Sequence, residues 1–101
     1  MELKVTDRPD QERFEIRADG ELAGFVQYHM RAGNIALIHT ETDPRFRGHG
    51  IAGQLIQAAL DSARERHLGV LPYCPFAQEW ITEHPEYADF IPPDKRERFG
   101  F

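Results

Sequence analysis

Polar and apolar positions alternate through the first half of the chain and then change period. The first twelve residues are mostly polar and include Pro9, which leaves room for a short first strand over Leu3 to Thr6 followed by a loop. From Arg13 to Ala18 the apolar Phe14, Ile16 and Ala18 alternate with Arg13, Glu15 and Arg17, the period of a half-buried strand. Asp19-Gly20 reads as a tight hairpin turn, because that dipeptide tolerates the positive backbone angles that match strand twist. Glu21 to Arg31 then returns antiparallel, and Gly33-Asn34 marks the next turn. Ile35 to Glu41 is nearly continuous apolar before it turns polar, as expected of a central strand buried on both faces. These strands form a meander.

From Ile51 to Arg66 the small and apolar residues Ala52, Leu55, Ile56, Ala59, Leu60 and Ala63 recur at helical spacing. Gln54, Gln57, Asp61, Arg64 and Glu65 take the opposite side. Gly69 suits the left-handed cap that closes such a helix. Val70 to Cys74 predicts a short strand whose Pro72 places it at an edge or where pairing fails. Pro75 occupies the favoured first position of a second helix, with Phe76, Ala77, Trp80 and Ile81 as its apolar stripe and Pro85 as its end. Trp80, Tyr87 and Phe90 read as core at this spacing, and the stretch from about residue 92 reads as a loose tail. No internal repeat is present.

Composition narrows the class. A chain of 101 residues predicts one domain, 1–101, and 41% hydrophobic with 29% charged residues is the ordinary globular balance. No apolar run approaches the roughly 20 residues of a membrane span, and acidic residues stand where a signal peptide has its apolar stretch, so a soluble, cytoplasmic protein is expected. The lone Cys74 can form no internal disulfide, and no His/Cys spacing suggests a zinc site. A net charge of −5 disfavours duplex nucleic acid as a partner. A small polyanion could still find a local site beside Arg45 and Arg47.

That site is the segment Arg45-Phe46-Arg47-Gly48-His49-Gly50-Ile51-Ala52-Gly53, which links the buried strand to the long helix. Its glycines let backbone approach a ligand, and the first amides of the helix point outward with the positive end of the dipole behind them. It departs from the P-loop, which needs a Gly-Lys-Ser/Thr ending, and from the three-glycine dinucleotide fingerprint. A plain glycine-rich turn is the bland alternative. Cys74, just before Pro75, falls at the second helix's N-terminus, where a thiolate is favoured, which makes it a candidate nucleophile against the common inert, buried state of free thiols. His39 and Glu41 lie two apart on a strand, on the face of Ile35 and Leu37. Either could accept a proton from an amine, or the pair could simply be the strand emerging into solvent.

The order strand, Q/R-x-x-G-x-G/A, long amphipathic helix resembles the acetyl-CoA signature of the GNAT superfamily of N-acetyltransferases, matched here by Arg47, Gly50 and Ala52. His39-Thr40-Glu41, Cys74-Pro75-Phe76 and His84-Pro85-Glu86-Tyr87-Ala88-Asp89 extend the likeness over roughly residues 13 to 91, to the small stand-alone branch of YjdJ type. The resemblance implies a minimal acyl-CoA N-acyltransferase fold of class α/β (α+β), a mostly antiparallel mixed sheet with two main helices. It implies coenzyme A or acetyl-CoA contacts from Thr40, Arg45, Arg47, Gly48, His49, Gly50, Ile51, Ala52 and Gly53, with the pantetheine arm running along the preceding strand toward Cys74. The expected activity is acetyl transfer to an amine, a protein or peptide amine among the options, with Cys74, His39 and Glu41 as catalytic candidates and no metal. The alternatives are a coenzyme A-binding sensor or interaction module with little turnover, and a purely structural interaction protein. Expected partners are acetyl-CoA and an amine acceptor, without nucleic acid or membrane, and the chain as a monomer or weak homodimer.

Overall fold

A computed structural model describes residues 1–101. The alternating segments pair as an antiparallel meander of β1 (Leu3–Arg8), β2 (Arg13–Ala18), β3 (Glu21–Arg31) and β4 (Asn34–Thr42). A fifth strand, β5 (Gly69–Pro72), joins parallel to β4, giving the order β1-β2-β3-β4-β5. The helix α1 (Ile51–Glu65) makes the crossover between them, and α2 (Pro75–Glu83) follows β5. No helix is long and apolar enough to cross a membrane.

The turns follow the residues that tolerate them. Asp19-Gly20 has φ of 49° and 87°, as its sequence requires. The β3–β4 turn sits at Ala32-Gly33, one position before the expected Gly33-Asn34, because Asn34 already pairs with Arg31. Phe14, Ile16, Val26 and Leu37 share one face of the sheet with Leu55, Ile56 and Leu60 of α1 in a contiguous buried core. Burying each such side chain contributes about 1.5–3 kcal/mol.

Two details seat α1. Gly24 lies beneath its start, where a Cβ would come 2.6 Å from the Glu41 carbonyl oxygen and 3.2 Å from Ile51 Cγ2. The missing side chain lets the first turn settle on β3 and β4. At the other end His67, not Gly69, takes the left-handed conformation, with φ 55°. Gly69 begins β5 instead, and it is small because a Cβ there would collide with the Asn34 side chain across the ladder.

β4 and β5 pair only from Asn34–Gly69 to Leu37–Pro72, and the Cys74 N–H donates one last bond to the Leu37 carbonyl at 2.9 Å. Beyond it the strands part. Pro72, lacking an N–H, stands where the ladder ends, as the sequence suggested. Trp80, Tyr87 and Phe90 are partly buried against the core, in ring contacts of 5.1 and 5.5 Å. The stretch from Pro92, expected to be loose, folds into short 3-10 turns that bury Phe99 edge-on against Tyr73 at 5.1 Å. Arg96, donating to the Ile91 carbonyl at 3.0 Å, and Arg98, stacked on Tyr73, hold it with Phe99.

The face of β1–β3 turned away from α1 is polar. Glu15 is buried there under Arg8, Arg13 and Arg17, with Arg13 closest at 2.6 Å. Burial alone would raise its carboxyl pKa, but the hydrogen bond and charge of Arg13, with Arg8 and Arg17 behind them, hold it below the ordinary value.

Candidate functional site

A single irregularity in β4 decides which side chains meet. Gln27 pairs with His39 but Tyr28 pairs with Leu37, so Ile38 is an extra residue that bulges the strand. Past the bulge the faces exchange. Thr40 and Thr42, opposite Val26 and Gly24, now share the α1 face, whereas His39 and Glu41 turn to the other side. The expectation that His39 and Glu41 share a face with Ile35 and Leu37 is therefore corrected. Ile35 and Leu37 are buried, and His39 and Glu41 are exposed, their side chains linked at 3.3 Å with His39 edge-on to Phe25.

The same exchange aims Thr40 at the fork between the strands, where its hydroxyl lies 3.2 Å from the Cys74 sulfur. Cys74 is the residue that begins α2, with Pro75 as the first helical position, and its thiol is buried. From Ile38 to Thr42 the β5-side edge of β4 has no strand beside it. An extended ligand bearing amides could pair along that edge.

Above the fork the loop into α1 holds open backbone. Gly50 precedes the helix with φ 69°, a conformation that favours glycine, and no side chain caps the helix. The first intrahelical bond is donated by Gln54 to the Gly50 carbonyl, and the amides of Gly48 through Gly53 donate to no acceptor in the chain. No acidic residue occupies the first turn. All residues from Gly48 to Gly53 but His49 line a cavity of about 320 Å³, which Phe76 of α2 also borders. Converging N–H groups with a helix dipole behind them form an anion site, and the cavity gives the anion somewhere to sit.

The expected cofactor-binding residues divide. Arg47, Gly48, Gly50, Ile51, Ala52 and Gly53 all line the cavity. His49 is exposed in the same loop but does not line it. Arg45 is committed elsewhere, to Asp43 at 3.0 Å and Glu21 at 3.6 Å, and its hydrogen bonds hold the Asp43 carboxyl below its ordinary pKa. Arg47 has no carboxylate partner, which leaves its guanidinium for the cavity. Gly53 has a second duty: a Cβ there would meet the Trp80 indole nitrogen at 3.3 Å, so its smallness lets α2 pack on the first turn of α1. Thr40 sits at the fork, not in the cavity.

Sequence reasoning missed Phe76 and the wall formed by Thr42, Asp43 and Pro44. Phe76 was placed in a core stripe, yet it is 38% exposed on the cavity. Its exposure was unreadable because its position on α2 matches that of a buried residue. Asp43-Pro44 did offer a signal: an N-cap followed by proline, which turns the chain sharply out of β4.

Comparison with known proteins places this geometry among relatives. Residues 13–90 match the family model described as GCN5-related N-acetyl-transferase. The chain is 30% identical to human Protein NATD1 over 95 residues, covering 90% of this chain and 84% of that one. The Xenopus tropicalis protein of the same name is 28% identical, with 90% and 87% covered. Among solved structures, the solution structure of a GCN5-like protein from Staphylococcus aureus superposes with a TM-score of 0.69 over 89% of this chain and 88% of its own, at 22% identity, a likeness of fold. A ribosomal-protein-alanine N-acetyltransferase from Brucella melitensis biovar Abortus 2308 gives a TM-score of 0.55 and 31% identity over 58% of this chain, which spans only 44% of that longer one.

Proposed function

Because the chain belongs to the GCN5-related N-acetyltransferase family, we propose that it moves an acetyl group from acetyl-CoA to a primary amine carried by a polypeptide, with Cys74 at the reacting centre. The observation that carries this reading is the run of amides from Gly48 to Gly53 without an acceptor, in a loop that lines a cavity beside the end of β4. The donor set fits the coenzyme: five main-chain N–H groups at the cavity and Arg47 match a diphosphate, and the bare edge of β4 matches the amides of a pantetheine arm. When bound, acetyl-CoA supplies an activated thioester carbonyl.

The chain's own residues do the rest. Gly48 to Gly53 and Arg47 anchor the diphosphate, and Phe76 walls the cavity on its apolar side. Thr40 holds the Cys74 thiol by a 3.2 Å contact at the fork. Cys74 would accept the acetyl group on its sulfur as the donor C–S bond breaks, its thiol proton passing to the departing coenzyme sulfur. The acceptor nitrogen then displaces that sulfur and gives up a proton. His39 and Glu41 lie across β4 from Cys74, so they serve the incoming amine as proton acceptors, not the thiol.

Intact mass after mixing with acetyl-CoA tests the chemistry. The expected result is a gain of one acetyl group, mapped to Cys74 and absent from Cys74→Ala, while Cys74→Ala still gains thermal stability from coenzyme A. Full transfer by Cys74→Ala would remove the cysteine from the mechanism. Coenzyme A stabilisation without turnover on any amine would leave a binding module.

A further inference from the structure

The segment His84-Pro85-Glu86-Tyr87 carries none of the chemistry assigned above, yet it holds the side chain that meets the first turn of α1. His84 ends α2: its Nδ1 donates to the Trp80 carbonyl at 2.8 Å, and its ring stacks on the indole with centroids 3.8 Å apart and planes 14° from parallel. Tyr87 lies tilted against the same indole at 5.1 Å, and Phe90 meets Tyr87 edge-on at 5.5 Å. The Tyr87 hydroxyl donates to Asp61 of α1 at 3.2 Å. Burial and the Asp61 carboxylate raise the Tyr87 pKa, so the phenol stays a donor. Trp80 is thereby held by rings on α2's end and, through Tyr87, by α1 itself.

The held indole points at Gly53. Its Nε1 and Cδ1 stand 3.3 and 3.7 Å from the place a Cβ would take there. Gly53 lines the cavity of the bare amides, and so does Phe76, one turn before Trp80 on the same side of α2, whereas Trp80 does not line it. The indole therefore fills the space behind two of the cavity's walls. We propose that Trp80 is a positioning residue: clamped by His84 and Tyr87, it spaces the start of α2 from the first turn of α1 and so sets the width of the cavity that receives the diphosphate. The inference rests on the coenzyme A reading of that cavity. Donors that converge on one anion must be held within about 0.5 Å of their productive places, so a spacer behind them controls affinity without touching the ligand.

The test is a double-mutant cycle on the Kd of coenzyme A, measured by calorimetry well below the Tm of every variant, where a loss of stability alone leaves Kd unmoved. Trp80→Ala should weaken coenzyme A at least tenfold, and Trp80→Phe, which keeps an aromatic spacer, less than threefold. Gly53→Ala pushes a methyl into the indole and should weaken binding about fivefold in the wild-type background, but less than twofold beside Trp80→Ala, where the methyl meets nothing. Tyr87→Phe, which keeps the ring and removes the bond to Asp61, should cost about threefold. An unchanged Kd in Trp80→Ala, additive losses in the cycle, or an indifferent Tyr87→Phe would each overturn the proposal. Should Trp80→Ala fail to fold, Trp80→Leu takes its place in the cycle with the same expectations. Wild-type protein without affinity for coenzyme A would sink the parent reading instead. Residual dipolar couplings of the Gly50 to Gly53 amides in unliganded Tyr87→Phe and wild type then decide the spacer by themselves: altered couplings support it, and identical couplings overturn it.

Discussion

The two ends of α1 receive opposite treatment. At the C-terminal end the chain closes on itself: Arg66 N–H donates to Ser62 at 3.0 Å, Leu68 N–H to Ala63 at 2.8 Å, and His67 adopts a left-handed conformation to allow it. At the N-terminal end nothing is closed. Gly50 offers no side chain, and six consecutive amides lack acceptors. A helix end is normally capped by side chains or solvent, so one end sealed by its own backbone beside another kept bare above a cavity separates a structural terminus from a binding one.

The strongest way to break that contrast is to give the bare end an anion of its own. Ala52→Glu places a carboxylate in the first turn, where the helix dipole favours it by about 0.3–1 kcal/mol. Unliganded stability should hold or rise. Coenzyme A affinity should fall on the order of 100-fold, because a like charge a few ångström from the diphosphate costs a few kcal/mol. Calorimetry and thermal unfolding of one variant read both effects, and parallel losses in both would mean simple misfolding.

A smaller effect separates the two loop arginines. Arg47→Ala removes an unpaired guanidinium at the cavity and should weaken coenzyme A about tenfold, the scale of one charge-assisted hydrogen bond. Arg45→Ala removes a cation already held by Asp43 and Glu21 and should change affinity less than about twofold. Equal losses would return Arg45 to the site.

The smallest effect belongs to the sealed end. His67→Gly relieves a left-handed non-glycine residue and should stabilise the protein by about 0.5–1 kcal/mol, a rise of a few degrees in Tm, with coenzyme A affinity unchanged. A change in affinity would show that the two ends are coupled.

What the sequence revealed follows the range of each signal. The loop into α1 was legible because its signs are local: glycines, no capping side chain, a helical stripe directly behind. The fork was half legible, since Pro72 marks the end of pairing but not which groups then face each other. The bulge at Ile38 was hidden. It arises from register against β3, and an apolar residue in the middle of Ile35 to Glu41 fits an uninterrupted strand equally well, so the side chains past it were assigned to the wrong face. The commitment of Arg45 was hidden similarly, because one of its partners, Glu21, lies at the start of another strand. Gly69 misled for a different reason: it is small to clear Asn34 and does not cap the helix.

The account stands on the bare amides gripping a diphosphate, and thermal unfolding with coenzyme A beside pantetheine addresses that grip directly. At about 100 times its dissociation constant coenzyme A should stabilise the protein by about 2.7 kcal/mol, a shift on the order of 10 °C, and pantetheine, which lacks the diphosphate, should give little at the same concentration. Equal shifts from the two ligands, or no shift from coenzyme A, would contradict it.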